Sequence, residues 1–192
     1  MPDAGRVITG SAKGIRLSAP GPGTRPLSDR VKQTLFASLE AADGDVLAYP
    51  FLDLFAGSGA AGIEALSRGA PGALFVERDL GAARIITENL RRTRLDGGTV
   101  LRRDALTALA EGASATGGPF GAALVDPPYA ETETLRAALE RLGDPSLGWL
   151  AADAIVVAKH FWRDDRPERL GDLVLERRRR FGETALSYYR RV

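Results

Sequence analysis

Two short stretches carry residue types that could do chemistry. The first is Gly57-Ser58-Gly59-Ala60-Ala61-Gly62, a G-x-G-x-x-G within "DLFAGSGAAG" (53–62). Glycines let a backbone approach a ligand closely, and a helix opening behind them offers free N–H groups. This is the signature of a nucleotide-like cofactor site between a strand and a helix. The second is "FGAALVDPPYA" (120–130), an apolar run that ends in Asp126, Pro127, Pro128 and Tyr129. A carboxylate, a rigid turn and a ring suit the exocyclic amine of a base. The lone pair of such an amine is delocalised into its ring, and acceptors aimed at its hydrogens free it for attack. Asp126 supplies one acceptor and the Pro127 carbonyl a second, held by the fixed φ of proline. Tyr129 offers a stacking face, a contact worth ~1–3 kcal/mol in single-strand binders. A base inside a duplex is out of reach, so flipping or a single-stranded target is required.

Carboxylates bracket both stretches. Asp53 lies four residues before Gly57, and Glu77, Asp104 and Asp126 each end an apolar run. A pyrophosphate would disfavour Asp53 so near the loop. S-adenosylmethionine carries an ammonium and a sulfonium instead, and a nearby carboxylate suits both. Glu77 can accept from two ribose hydroxyls, which serves either cofactor. Asp104, with the Ala105 backbone beside it, can meet an adenine amino group, although alone it reads as a helix N-cap.

These residues need elements to position them. Strands are expected over 49–55, 73–77, 99–103, 122–125 and 154–160, with helices over 59–69, 79–95, 105–113 and 134–142 between them. Alternation of apolar strands with helices predicts a parallel sheet covered on both faces, with ligands beyond the carboxyl ends of the strands. The run "LVLERRRRFGETALSYYRRV" predicts a closing antiparallel hairpin that turns near Gly182. Residues 1–45 depart from the alternation. Two short strands turn around Lys13-Gly14, and an amphipathic helix over 28–39 starts at Ser28 or Asp29. We expect an N-terminal extension (1–45) packed on the main α/β domain (46–192).

Composition excludes several classes. The 192 residues contain no cysteine and one histidine, His160, which removes disulfides, thiolate nucleophiles, Cys-ligated metals and a His-rich metal site. A Ser-His-Asp triad is disfavoured for the same reason. No apolar run is long enough to span a bilayer, and the first residues lack the pattern of a secretory signal. A cytoplasmic monomer without membrane attachment is the expectation. Net charge is only +1, yet residues 1–32 carry six basic against two acidic side chains and residues 166–192 eight against four. Such asymmetry suits a nucleic-acid binder.

"LDLFAGSGAAGIEALSRGA", "LVDPPY" and "RPLSDRVKQTLF" together resemble the RsmD family, bacterial methyltransferases acting on the N2 amine of one guanine in small-subunit (16S) ribosomal RNA. The similarity extends to "RVITGSAKGIRL" at the start and "FGETALSYYRR" at the end. It implies a Rossmann-like, S-adenosylmethionine-dependent methyltransferase fold. It also implies that Asp53, Gly57, Gly59 and Glu77 line the cofactor site, that Asp104 and Ala105 hold the adenine, and that Asp126, Pro127 and Tyr129 handle the target base. Arg6, Lys13, Arg16, Arg25 and Arg30 are then the basic side chains expected at RNA. Two departures stand out. Leu27 follows Arg25-Pro26 where many relatives have Thr, and "VVAKHF" replaces a strand-end glutamate that several carry. A surface or strand-end role is expected for Lys159 and His160. The competing readings are a DNA adenine-N6 methyltransferase, which shares the DPPY chemistry, an NAD-dependent oxidoreductase, which leaves DPPY without a task, and an inert RNA-binding module.

Overall fold

The computed structural model describes residues 3–21, 27–42 and 45–192. Arg25 and Pro26 lie outside the described residues. The chain begins with an antiparallel pair, β1 (Asp3–Arg6) and β2 (Arg16–Ser18), followed by helix α1 (Asp29–Glu40). Ser28 starts that helix: its hydroxyl accepts from the Val31 N–H, as an N-cap should. The main domain then runs β3 (Phe51–Leu54), α2 (Ala60–Ser67), β4 (Ala73–Val76), α3 (Leu80–Thr93), β5 (Gly98–Leu101), α4 (Ala105–Glu111), β6 (Phe120–Val125), α5 (Thr132–Leu142) and β7 (Leu150–Phe161). It closes with β8 (Arg169–Leu170), β9 (Leu173–Phe181) and β10 (Thr184–Arg191).

The large sheet has the order β5-β4-β3-β6-β7-β10-β9-β8. Its first five strands are parallel, and β10 pairs antiparallel with both β7 and β9. The chain order reverses between β3 and β6, and in an open α/β sheet that switch point is where a crevice forms. One apolar core lies between the sheet and α1, α2 and α3, and a second between the sheet and α4 and α5. Strand β3 shows the division: Phe51 faces the first core and Leu52 and Leu54 the second, following the two-residue alternation of a strand.

The N-terminal extension belongs to the first core. Ala4, Val7, Leu17, Leu35 and Phe36 pack into the same cluster as Phe51, Ala60 and Ile63. Polar side chains fix its position. The fully buried Glu64 of α2 accepts from the Ile8 and Thr9 N–H groups at 2.8 and 3.0 Å, and from Arg68 Nε at 2.8 Å. Asn89 of α3 trades two hydrogen bonds with Ser18 and donates a third to the Ser58 carbonyl in the glycine loop. The hairpin is thereby tied to the segment expected to hold a cofactor. Among the described residues no helix is long and apolar enough to cross a membrane, and no cluster of metal-ligating side chains occurs.

Candidate active site

A cleft of about 530 Å³ opens beyond the carboxyl ends of β3, β4 and β6, and most of the residues singled out above line it. Asp53, Gly57, Glu77, Ala105, Asp126, Pro127 and Tyr129 all do so. The glycine loop forms one wall. Gly57 and Gly59 hold φ of +55° and +75°, the left-handed region that glycine enters without strain. Gly62 is helical, and its reason is packing: a Cβ there would meet the Phe75 ring at 2.3 Å. Phe55, also in the lining, takes φ of +61°, the sort of strained backbone that collects at functional sites.

The carboxylates divide their work. Asp53 is 2% exposed, and its Oδ2 accepts from the Gly62 N–H at 2.9 Å, bracing the first turn of α2 against β3. Burial pushes its carboxyl up to about 8. The Gly62 N–H opposes this, and the neighbouring Asp126 and Glu77 charges reinforce it. Glu77 accepts from the Gly57 N–H at 2.9 Å through one oxygen and from the Asp79 N–H at 2.8 Å through the other. Each oxygen keeps a lone pair for a ligand hydroxyl. Asp104 is the N-cap of α4, accepting from the Thr107 N–H and hydroxyl at 3.0 and 3.2 Å. Its neighbours Arg103 and Ala105, rather than its own side chain, line the cleft. Both capping bonds go to Oδ1, so Asp104 is the helix cap read from the sequence, and its Oδ2 remains available as an acceptor.

Opposite the glycine loop stands the DPPY turn. The Pro128 carbonyl is taken by the Glu131 N–H at 2.8 Å, whereas the Pro127 carbonyl accepts no hydrogen bond from a described residue. Tyr129 is half-buried, and its hydroxyl meets Thr184 Oγ1 at 2.6 Å, which ties the ring to the start of β10. Asp126 is held by Lys159, whose Nζ lies 2.6 and 2.9 Å from the two carboxylate oxygens and 5.1 Å from the centre of the Tyr129 ring. Burial pushes the Asp126 carboxyl above its ordinary range, and the Lys159 ammonium pulls it back.

Lys159 is the residue the sequence reading missed. It is only 8% exposed and lines the cleft, so of the surface or strand-end role expected for it the surface reading is wrong, and its place near the end of β7 puts it in the site. The signal lay in strand register. Val125 of β6 sits beside Ala158 of β7 in a parallel ladder, which brings the next residues, Asp126 and Lys159, together. His160 is also buried rather than exposed. Its Nδ1 lies 2.8 Å from the Phe161 carbonyl and its Nε2 2.8 Å from the Ser187 hydroxyl. Desolvation lowers it to about 4. It is a neutral structural group, donating to the carbonyl and accepting from the serine.

The basic residues expected at RNA are distributed unevenly. Arg6 pairs with Asp29 at 3.2 Å, and Arg16 pairs with Asp3. Lys13 and Arg30 are exposed, and neither forms an ion pair among the described residues. Leu27 is buried in the cleft lining together with Ala4, Ala19 and Pro20, so the N-terminal extension supplies an apolar edge to the site.

Comparison with known proteins bears on the whole chain. The family described as "Conserved hypothetical protein 95" matches residues 5–190. The protein YlbH of Bacillus subtilis is 40% identical over 189 residues, covering 97% of this chain and 98% of that one. Ribosomal RNA small subunit methyltransferase D of Escherichia coli K12 is 34% identical over 187 residues, covering 97% and 89%. A solved structure from Thermus thermophilus superimposes with a TM-score of 0.78 at 35% identity, covering 95% of this chain and 97% of the other. With a family match across nearly its entire length, and with the glycine loop and DPPY turn facing each other in one cleft, the chain belongs to the RsmD family.

Proposed function

We propose that the protein transfers the methyl group of S-adenosylmethionine to the exocyclic N2 amine of a guanine in small-subunit ribosomal RNA. The observation that carries this reading is the shared cleft, in which an acid-walled glycine loop faces a rigid pair of hydrogen-bond acceptors. The residues present fit the methyl donor. The cleft volume lies within the range of small-ligand pockets. Glu77 has lone pairs for two ribose hydroxyls, and Arg103 and Ala105 border the region beyond it. Glu77 and Asp126, both in the cleft lining, favour a cation and disfavour a pyrophosphate, which argues against a nicotinamide dinucleotide. Bound there, S-adenosylmethionine supplies an electrophilic methyl on a cationic sulfur.

The chain's own residues do the rest by positioning. Asp126 and the Pro127 carbonyl accept from the amino hydrogens and draw the nitrogen lone pair out of conjugation. Tyr129 stacks on the extruded base, its ring held by Thr184. Lys159, at 2.6 Å, opposes the rise that desolvation imposes on the Asp126 carboxyl and so favours its ionised form. Side by side, the two present an acceptor and a donor, which match an amine next to a ring nitrogen, as N2 and N3 of guanine are. The nitrogen becomes acidic once alkylated, so its proton can leave to water and no strong base is needed.

Ribosomal RNA is favoured as the substrate by the relatives, one of which is named for the small subunit. The guanine assignment rests on the resemblance of the motifs. The test is transfer of labelled methyl to small-subunit RNA from cells lacking the gene, with the labelled nucleotide mapped. A single N2-methylguanine is expected. Asp126→Ala should lower transfer by on the order of 10²–10³-fold, as loss of a preorganised polar contact does, and leave cofactor affinity near wild type. Label on an adenine amine would overturn the base assignment. Equal loss of transfer and cofactor binding would make Asp126 a structural residue.

A further inference from the structure

The strongest unassigned feature of the surface is a cluster of arginines just outside the target-base side of the cleft. Strand β7 carries Lys159, inside the cleft, and ends at Phe161, so that Trp162 opens the turn just beyond it, about 10 Å along the chain from Lys159 at the rise of a strand. The Trp162 N–H donates to the Glu183 carbonyl in the β9–β10 turn, and the next residue, Thr184, holds the Tyr129 hydroxyl. The Trp162 backbone is therefore joined to the turn that leads into Thr184 and the Tyr129 ring, just outside the cleft lining. Two guanidinium groups rest on its indole: Arg180 at 3.4 Å and Arg163 at 4.8 Å from the ring centre. Arg178, two residues before Arg180 on β9, shares its face of the strand, whereas Arg179 between them faces the other way; all four arginines are exposed.

Their charge is largely uncompensated. Among the described residues Arg163, Arg179 and Arg180 meet no carboxylate, and Arg178 meets only Asp165, at 3.7 Å. Glu183, at the tip of the turn, is exposed and pairs with none of them. The N-terminal hairpin differs, because Arg6 and Arg16 are both engaged by aspartates. Holding a guanidinium flat on an indole also restricts a side chain that would otherwise lose much rotamer freedom on binding. Such a group can then pair with a phosphate through its fork of N–H donors or stack under a base.

We propose that Trp162, Arg163 and Arg180, with Arg178 beside them, form a docking platform for the single-stranded RNA flanking the target nucleotide. The platform rests on the reading that the substrate is RNA. It names the surface that holds the chain on either side of an extruded base, which the cleft itself does not provide. Its partner is polyanionic and unpaired: the arginines take phosphates, and the guanidinium planes take bases.

The test is a double variant, Arg163→Ala with Arg180→Ala, compared with wild type and with Arg6→Ala/Arg16→Ala. Each is titrated with small-subunit ribosomal RNA over a range of salt, and cofactor affinity and melting temperature are measured alongside. The platform variant should bind RNA roughly tenfold more weakly, and its log–log salt slope should flatten by about 1.4, the release expected for two single-strand phosphate contacts. Cofactor affinity should stay unchanged and the melting temperature near that of wild type. Arg178→Ala alone, which makes no contact with the indole, should flatten the slope by about half as much, which keeps the proposal testable if the double variant is unstable. An unchanged slope in both variants, or wild-type protein that binds no RNA, would overturn the platform. RNA binding that weakens as expected while no methyl is transferred by wild type would overturn the reaction and leave the platform standing.

Discussion

At the scale of single residues, the chemistry turns on how a half-buried carboxylate is balanced between its charged and neutral forms. Asp126 is pushed toward the neutral form by desolvation and drawn back by Lys159 at 2.6 and 2.9 Å. The ionised form is the better acceptor for an amino hydrogen of the base, because protonation turns one carboxyl oxygen into a donor. Replacing Lys159 with Met keeps much of the stem's volume and removes the opposing charge. The Asp126 carboxyl then titrates higher still, because desolvation is no longer opposed by an adjacent ammonium. The higher it titrates, the less of it is ionised at neutral pH, and raising the pH restores the ionised form. Transfer by Lys159→Met should consequently be depressed at neutral pH and should recover as pH rises. Cofactor affinity should remain near wild type. A pH–rate profile of kcat settles the point: a uniform loss with no alkaline displacement would mean that Lys159 serves packing alone. The aspartate could be read from the sequence because DPPY is a contiguous chemical unit. The lysine could not, because its meaning depends on the β6–β7 register, which no local pattern encodes.

At the scale of elements, the glycine loop is where pattern and structure agree most closely, and for a mechanical reason. The spacing of Gly57, Gly59 and Gly62 reports two left-handed turns and one close packing contact. All three are local demands on the backbone. A Gly62→Ala substitution places a methyl 2.3 Å from a Phe75 carbon with a buried ring on one side and β3 on the other. Overpacking of this kind costs about 1–3 kcal/mol, so the melting temperature should fall by about 2–4 °C per kcal/mol in a chain of this size. Cofactor affinity should fall with it, since the Gly62 N–H also braces Asp53. Adding Phe75→Leu opens the space and should restore part of the cofactor affinity. Isothermal titration of the single and double variants reads this directly, and no recovery would show that the loop itself, not its packing on Phe75, had been damaged. Where elements depend on distant partners the sequence was less informative. The two-residue β8 has no periodicity to announce it, and the Asn89 side chain that joins β2 to the loop is one polar residue on an otherwise ordinary helix.

At the scale of the whole molecule, the question is whether the first 45 residues are an attachment or part of the fold. The break in strand–helix alternation makes them look separate, and composition cannot reveal a shared core. The structure places Leu35 and Phe36 against Phe51, and anchors the hairpin on a carboxylate buried in α2. Glu64 has no exposure, and its two oxygens serve two backbone N–H groups and Arg68, with Lys32 Nζ at 3.9 Å. Burial lowers the Lys32 ammonium, so that cation depends on the carboxylate beside it. Glu64→Gln removes the charge and turns one acceptor into a donor that faces a backbone N–H. Breaking one partner of a buried charged set costs about 3–5 kcal/mol. The cost falls on the whole chain if the extension is integral. Unfolding of the variant should then remain a single transition at lower denaturant concentration, with an unchanged m-value. Cofactor affinity should weaken as well, because Ala4, Ala19 and Leu27 form the apolar edge of the cleft. Were the extension a separate unit, the variant would instead lose protection from hydrogen exchange over residues 3–18 alone, and the sheet would melt where it did before.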